Sequence, residues 1–405
     1  MKIKNCRICK SKKLLNIFDL GNQALTGKFP ENKKIKIPKS PLKILLCNSC
    51  KAIQLDRNFN PKNLFNTNYG YRSGINQTMS DHLRKLSILI KKNFLKKNKN
   101  ILDIASNDGT FLNFFSDKYF RVGIDPVLKK YSSNYKKKIV KIPNLFSKKI
   151  LESKVKNKKF NVITIFAMFY DLNDPYKFLL EVKKILDNQG VLIIEVADLY
   201  ETIKNNVFDT ICHEHLIYYS HSLMKLIMDK SGFKIFDHSY NDINGGTSRY
   251  FITHKENMEI KNKNLAKVKK NEINIGLHKI ETYVNFFKKI SKIKLQTIKL
   301  LKSLKSKKKI IHGYGASTKG NVLMQYFKIN NKIIECIADR NPDKNGHYTP
   351  GTNIKIISEE LSRSNKPDYY FVLPWHFKKE ILIREKKMIK KGTKFIFPLP
   401  KLEIV

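Results

Sequence analysis

Apolar residues in this chain follow two different periods. Between Asn76 and Phe94 they fall at Met79, Leu83, Leu86 and Ile90, the three-and-four spacing of one helix face. Short apolar runs then take over, each ending in a polar or glycine-bearing turn: Ile101 to Ala105, Arg121 to Asp125, Phe160 to Phe166 and Val191 to Val196. Runs of this length bounded by turn signals read as buried strands. Phe111 to Phe115 and Pro175 to Leu186, lying between them, read as helices, and Ser222 to Ser231 as another that closes on Gly232. Strand and helix in alternation predict a doubly wound sheet. Asn244-Gly-Gly-Thr-Ser-Arg-Tyr250, leading into apolar residues up to Thr253, predicts a hairpin that completes it.

The alternation breaks off and then resumes. Ile273, Leu277, Ile280, Val284 and Phe287 mark a helical stripe, read as a linker helix packed between lobes. Strands are predicted again at Lys309 to His312, Ile333 to Ala338, Tyr369 to Leu373 and Phe395 to Phe397. A chain of 405 residues is too long for one ordinary core. The pattern divides it into residues 1–75, a first α/β domain over 76–255, a helical linker over 256–306 and a second Rossmann-like domain over 307–405.

Composition alters this picture at two points. Lys and Arg outnumber Asp and Glu by 79 to 34, for a net charge of +45, which on its face suggests a polyanionic partner. The excess is spread along the whole chain with Asn and Ile, the pattern of filled solvated positions, so no nucleic-acid partner is expected. No run reaches the ~18 apolar residues of a membrane span, and Met1-Lys-Ile-Lys-Asn-Cys has no apolar segment after its charge. The expectation is a cytoplasmic monomer without membrane contact. Four of the six cysteines form the pairs Cys6-Arg-Ile-Cys9 and Cys47-Asn-Ser-Cys50. That spacing lets both sulfurs of a pair reach one tetrahedral ion, and four thiolates leave no position open, so residues 1–75 are predicted to hold structural zinc.

Candidate chemistry gathers at the strand ends. Ala105-Ser-Asn-Asp-Gly109 has one glycine where a dinucleotide fold wants several, and a carboxylate where a pyrophosphate would sit. Such a turn suits a cationic or uncharged ligand, and S-adenosylmethionine, with its sulfonium and ammonium, fits. Asp103, Ala105, Asn107, Asp108 and Gly109 are the candidate cofactor contacts, with turn capping as the bland alternative for Asp103 and Asp108. Asp125 follows at about the distance where an acid accepts hydrogen bonds from a cofactor ribose. Asp209-Thr-Ile-Cys-His-Glu-His215 places two imidazoles and a carboxylate in consecutive positions after a strand end. Gly313-Tyr-Gly-Ala-Ser-Thr-Lys-Gly320 repeats the strand-then-glycine pattern, with Lys319 at a helix start able to meet a phosphate. Trp375 is read either as a cover for a base or sugar or as a roof on the core, and Tyr69-Gly-Tyr-Arg-Ser73 either as a ligand contact or as a packed loop.

Taken together these segments resemble the nucleotide-sugar C-methyltransferase family, whose members add a methyl to a ring carbon of a keto-deoxysugar carried on a nucleoside diphosphate. The resemblance spans nearly the entire chain. It rests on the paired Cys-x-x-Cys lobe, Tyr69-x-Tyr-x-Ser73 with His82, Asp103 to Gly109, Gly123-Ile-Asp-Pro126, Asp209 with His213-Glu-His215, Gly245-Gly246, Gly313 to Gly320, Asp339-x-Asn-Pro-x-Lys344, Pro350-Gly351 and Leu373-Pro-Trp375. Two positions depart from the family: Cys212 stands where it usually has Tyr, and Asp171 ends a stretch where a His is common. The resemblance implies methyl transfer to carbon, expected at C3 of a 4-keto sugar, through an enolate formed by His215 with Glu214 beside it. Tyr69, Tyr71, His213 and Asn244 are its candidate oxyanion donors. Ser73, His82, Arg249, Lys319 and Trp375 join Tyr69, Tyr71 and Asn244 as candidate substrate contacts. The competing readings are a sugar O-methyltransferase, a nicotinamide-dependent sugar oxidoreductase and, from another class, a zinc-containing RNA-binding protein.

Overall fold

The computed structural model describes residues 1–65, 71–96, 100–258 and 265–405, apart from the side chains of residues 62 and 63. Tyr69 lies outside them. The architecture is α/β, with three sheets in three lobes.

The first sheet is antiparallel and pairs Leu14–Ala24, Lys39–Cys47 and Ile53–Leu55 in sequence order. Its fourth strand, Ile217–Tyr218, comes from far along the chain, with Ile53 opposite Tyr218 and Gln54 opposite Ile217. The segment just past His215 is thereby bolted into the cysteine lobe. No local periodicity announces this, because two residues are too few to show one.

Seven strands form the second sheet, in the order Phe233–Asn241, Thr247–His254, Leu186–Ala197, Phe160–Phe166, Asn100–Ile104, Phe120–Ile124 and Ile139–Ile142. The last five run parallel and the first two form the predicted antiparallel hairpin at the edge. Ile101, Leu102, Val122, Ile163 and Ile165 are buried, as expected of parallel strands covered on both faces. Strand order reverses on either side of Asn100–Ile104, the switch point where such sheets take ligands. The predicted helix at Phe111 to Phe115 is only a 3-10 turn, Leu112–Phe114. Phe111, Leu112 and Phe115 are buried as the pattern implies, but the chain enters its next strand at Phe120, which leaves no room for helical turns. That face is covered by the helix Gln77–Asn93, whose Met79, Leu83, Leu86 and Ile90 pack with them in one core. Asn76 caps this helix by accepting from the Met79 N–H at 3.0 Å.

The linker is two helices, Ala266–Ile275 and Ile280–Ser306, interrupted at Gly276 with φ +76. Residues on either side of this left-handed break are out of phase, so a stripe counted across it does not describe one face. Ile273, Ile280 and Val284 of the predicted stripe are 55, 38 and 42% exposed. The buried face of the long helix is instead Tyr283, Phe286, Ile290, Ile293, Thr297, Leu301 and Leu304. Phe286 meets Phe18 of the cysteine lobe edge to face, with ring centroids 6.0 Å apart.

The third sheet runs Lys355–Ser358, Cys336–Asp339, Ile311–Tyr314, Tyr369–Val372, Lys394–Phe397 and Glu403–Ile404, parallel except for its last strand. Its order reverses at Ile311–Tyr314, which delivers the Gly313 to Gly320 turn to a second switch point. The strap from Ala24 to Pro30 ties the cysteine lobe to this domain. Gln325 brackets Ala24 with its side-chain amide, accepting from the N–H at 2.7 Å and donating to the carbonyl at 3.2 Å. Asn321 Nδ2 donates to the Thr26 carbonyl at 2.7 Å, and the Tyr348 N–H to the Pro30 carbonyl at 2.8 Å. Among the described residues no helix is long and apolar enough to cross a membrane.

Candidate active site

The two switch points face each other across one cavity of about 520 Å³. On the side of the second sheet its wall is the turn after Asn100–Ile104. Ala105, Asn107 and Gly109 all have positive φ there, at 64, 50 and 78°. At Gly109 a Cβ would lie 2.7 Å from the Tyr135 ring, so glycine is required by both space and backbone. Asp103 accepts from Thr164 Oγ1 at 2.7 Å, and burial lifts its carboxyl to about 8. Asp125 accepts the Asn107 N–H at 2.9 Å on one oxygen and the Val127 N–H at 2.8 Å on the other. Burial raises it to about 6 against these two bonds. Both carboxyls line the cavity beside Ala105 and Asn107.

Asp108, expected to face the cofactor, does not line it. Its Oδ2 accepts the Gly74 N–H at 2.9 Å and Arg72 Nε at 3.3 Å. Asn107 continues the lacing, accepting the Ser73 N–H at 3.0 Å and donating to the Tyr71 carbonyl at 3.2 Å. The acid in the turn therefore anchors the segment from Tyr71 to Ile75 over the cavity mouth. Tyr71 and Ser73 line the cavity, and the Tyr71 hydroxyl is pushed up to about 12, chiefly by burial.

Glu214, His215 and Cys212 line it from the loop between Phe208–Thr210 and the bolted strand Ile217–Tyr218. Thr210 Oγ1 lies 3.2 Å from His215 Nδ1, and the Tyr170 ring packs on the imidazole with centroids 4.0 Å apart. Burial first, and Lys319 second, hold His215 down to about 3, so its ring is neutral at working pH. The Thr26 hydroxyl reaches Glu214 Oε2 at 3.5 Å, and burial raises the Glu214 carboxyl. Asp171, not singled out from the sequence as a site residue, lines the cavity as well and is raised well above the usual range by burial and then by Glu214.

Adjacent residues of this loop point in opposite directions. His213 is buried outside the cavity lining, its Nε2 3.2 Å from the Ser40 carbonyl and its ring edge-on to Phe59. Burial takes it down to about 4. His82 and Arg249 do not line the cavity either. They hold the carboxylate of Glu195, which does: His82 Nε2 lies 2.8 Å from one oxygen and Arg249 Nε pairs with the other. Trp375 is a roof rather than a ligand cover. Its Nε1 donates to Asp209 Oδ2 at 2.8 Å, and its ring lies so close over Gly245 that a Cβ there would stand 3.0 Å from it. Its neighbour His376 lines the cavity, with Nδ1 buried and unpartnered among the described residues. Asn244, at φ 54°, accepts Lys319 Nζ on its carbonyl at 2.6 Å.

The four cysteines meet as expected. Sulfurs of Cys6 and Cys50 are 3.6 Å apart, those of Cys9 and Cys47 3.5 Å, and all four lie within 4.8 Å of one another. A tetrahedral zinc with bonds of ~2.3 Å needs sulfurs about 3.8 Å apart, so the donor set fits. Gln54 Nε2 donates to Cys6 Sγ at 3.1 Å and the Ile8 N–H at 3.4 Å, polarising a thiolate in the way outer hydrogen bonds tune such sites.

Residues 6–65 match the family model of a putative zinc-binding domain, residues 71–238 that of a methyltransferase domain, and residues 242–400 that of the C-methyltransferase C-terminal domain. In all three parts the chain is similar to C-methyltransferases, and a methyltransferase of this kind draws its methyl from S-adenosylmethionine. C-methyltransferase NovU of Streptomyces niveus is 26% identical to it over 408 residues, an alignment covering 100% of this chain and 97% of NovU. Two solved structures align over less than half of the chain. The plantazolicin methyltransferase BpumL, in complex with a pentazolic analog and SAH, has 15% identity and a TM-score of 0.34, covering 43% of this chain and 83% of its own. The CcbJ methyltransferase from Streptomyces caelestis has 9% identity and a TM-score of 0.34, covering 42% and 89%.

Proposed function

We propose that the enzyme methylates a ring carbon, C3, of a 4-keto deoxysugar carried on a nucleoside diphosphate, with His215 removing the proton. The observation that carries this reading is a neutral imidazole lining the one cavity that also takes the cofactor turn and the glycine turn of the third sheet. A hydrogen beside a ketone is acidic enough to be taken by a positioned base, worth typically ~10²–10⁴-fold. Thr210 Oγ1 lies 3.2 Å from Nδ1 of His215, so the tautomer protonated at Nδ1 would donate there and leave Nε2 as that base.

Bound S-adenosylmethionine supplies an electrophilic methyl on a sulfonium. Asp125 would hold its ribose hydroxyls on the lone pairs its two backbone partners leave free. Asp103, protonated at neutral pH in the free enzyme, would ionise on meeting its cationic end. Arg340, Lys344 and Arg384 line the far end of the cavity and suit a diphosphate, which the +45 charge would also steer inward. Tyr71 and Ser73 would close over the sugar. Zinc would staple the cysteine lobe, and through Thr26 and the strand pairing at Ile217–Tyr218 that lobe supports Glu214 and His215.

The test is transfer from a donor carrying a ¹³C methyl to a panel of 4-keto nucleotide sugars, with the product read by NMR. The proposal expects the labelled carbon bonded to ring carbon C3. A label bonded to oxygen, as an O-methyltransferase would leave it, refutes it.

A further inference from the structure

Lys319 differs from the other cations around the cavity. Arg72 lies 3.3 Å from Asp108, Arg340 3.1 Å and Arg384 2.9 Å from Glu380, and Lys344 3.8 Å from Asp339. Among the described residues Lys319 has no carboxylate within 4 Å, and its ammonium gives one of its three N–H groups to a neutral acceptor, the Asn244 carbonyl. It enters from the helix Thr318–Phe327 and is placed from three sides. Asn244 belongs to the hairpin of the second sheet. Asp209 stands on the loop that carries His215 and is clamped by Trp375, its Oδ1 buried and unpartnered among the described residues. His376 belongs to the turn after Tyr369–Val372 and, like His215, feels the lysine charge.

We infer that Lys319 is a catalytic residue, its ammonium donating to the enolate oxygen formed when His215 takes the ring proton. The inference rests on the enolate reading of the function and assigns that reading a cationic oxyanion donor. Of the donors the sequence offered, His213 is turned away, Tyr71 lines the cavity from the segment laced to the cofactor turn, and Asn244 holds Lys319 in place through its backbone carbonyl. His215 Nε2 gains the proton, the C–H pair becomes the C–C π bond, and the carbonyl π pair moves to oxygen beside Lys319. Attack on the donor methyl then forms C–C, leaves the S–C pair on sulfur, restores the carbonyl and leaves the proton on His215. Burial lowers the lysine below its ordinary value, and the Asp209 carboxylate, more than 4 Å away, opposes that shift without competing for its hydrogens.

The alternative for Lys319 is a grip on phosphate, and kinetics separate the two. Lys319→Gln keeps an N–H for Asn244 but no charge. Its exchange of the sugar's ring hydrogen with deuterated water, without methyl donor, should fall by ~10²–10³, the cost of removing one oxyanion donor. The KM for the nucleotide sugar should stay within about threefold by that account, and calorimetric binding of S-adenosylhomocysteine should be unchanged. Lys319→Met, which also gives up the Asn244 bond, should lose at least as much exchange. Wild-type exchange rates in both variants, with or without a raised KM, overturn the inference and leave the enolate reading standing. A wild-type enzyme that exchanges none of the panel overturns both.

Discussion

Asp125→Asn should weaken binding of S-adenosylhomocysteine by about 10- to 150-fold. The carboxylate receives one backbone N–H on each oxygen, from Asn107 and Val127. An amide can accept only one of them and turns an N–H₂ toward the other. It also presents a donor where a ribose hydroxyl wants an acceptor. Loss of one charge-assisted hydrogen bond costs about 1.5–3 kcal/mol, and each 1.4 kcal/mol is tenfold in affinity. The pH dependence follows from the same group. Burial has raised it from 3.8 to about 6, so the free folded protein protonates it more readily than the unfolded chain does. Its contribution to stability is therefore full below about pH 4 and declines as pH rises to about 6. Binding runs the other way, because the two hydroxyls of a ribose need the ionised form. Affinity should rise about tenfold per pH unit up to about 6 and level off above it. Isothermal titration calorimetry of wild type and variant across about pH 5 to 8 reads the loss of affinity and its pH dependence. A variant that binds within about twofold of wild type, or a wild-type affinity that is flat across pH 6, would refute the assignment of Asp125 to the ribose.

The remaining predictions concern the loop and the metal. His213→Ala removes a buried ring and its bond to the Ser40 carbonyl, and should cost about 2–4 kcal/mol of stability while leaving kcat within a few-fold; urea titration and steady-state kinetics check the pair, and a loss of kcat by about a hundredfold would return His213 to the chemistry. Because burial holds His213, His221 and His238 down to about 4, the folded state resists their protonation, so stability should be level above about pH 6.5 and fall between there and about pH 4, as denaturant midpoints will report. Cys9→Ser should lose bound zinc by elemental analysis and lower the melting temperature, since structural zinc contributes folding energy outright; full zinc occupancy in that variant would contradict a four-thiolate site.

What the sequence made legible follows from how directly each feature is coded. Parallel strands buried on both faces must be continuous apolar runs, so Ile101 to Ala105 and Phe160 to Phe166 were readable from side-chain type alone. Met79 to Ile90 stood out because one uninterrupted helix carries the whole stripe. The stripe from Ile273 to Phe287 failed because Gly276 resets its phase. The four cysteines were readable because a knuckle brings its pair together locally. His213 and His215 could not be told apart, since side chains on an irregular loop obey no period, and only the pairing of Ile217–Tyr218 with Ile53–Leu55 decides which ring faces the cavity. Nothing local in the sequence turns Asp108 from the ligand, because its partners, Arg72 and Gly74, lie on a segment whose approach to the turn is tertiary. Tyr170 and Asp171 gave no signal of their own beyond a departure from the family pattern.

The central claim is that His215 generates an enolate. The most direct measurement is exchange of the ring hydrogen of 4-keto nucleotide sugars with deuterated water, without methyl donor, in wild type and His215→Ala. The account predicts exchange in the wild type at the carbon beside the ketone and a loss of ~10²–10⁴-fold in the variant, with S-adenosylhomocysteine still bound. Exchange that persists in His215→Ala, or a wild type that exchanges none of the panel while still binding S-adenosylhomocysteine, would contradict it.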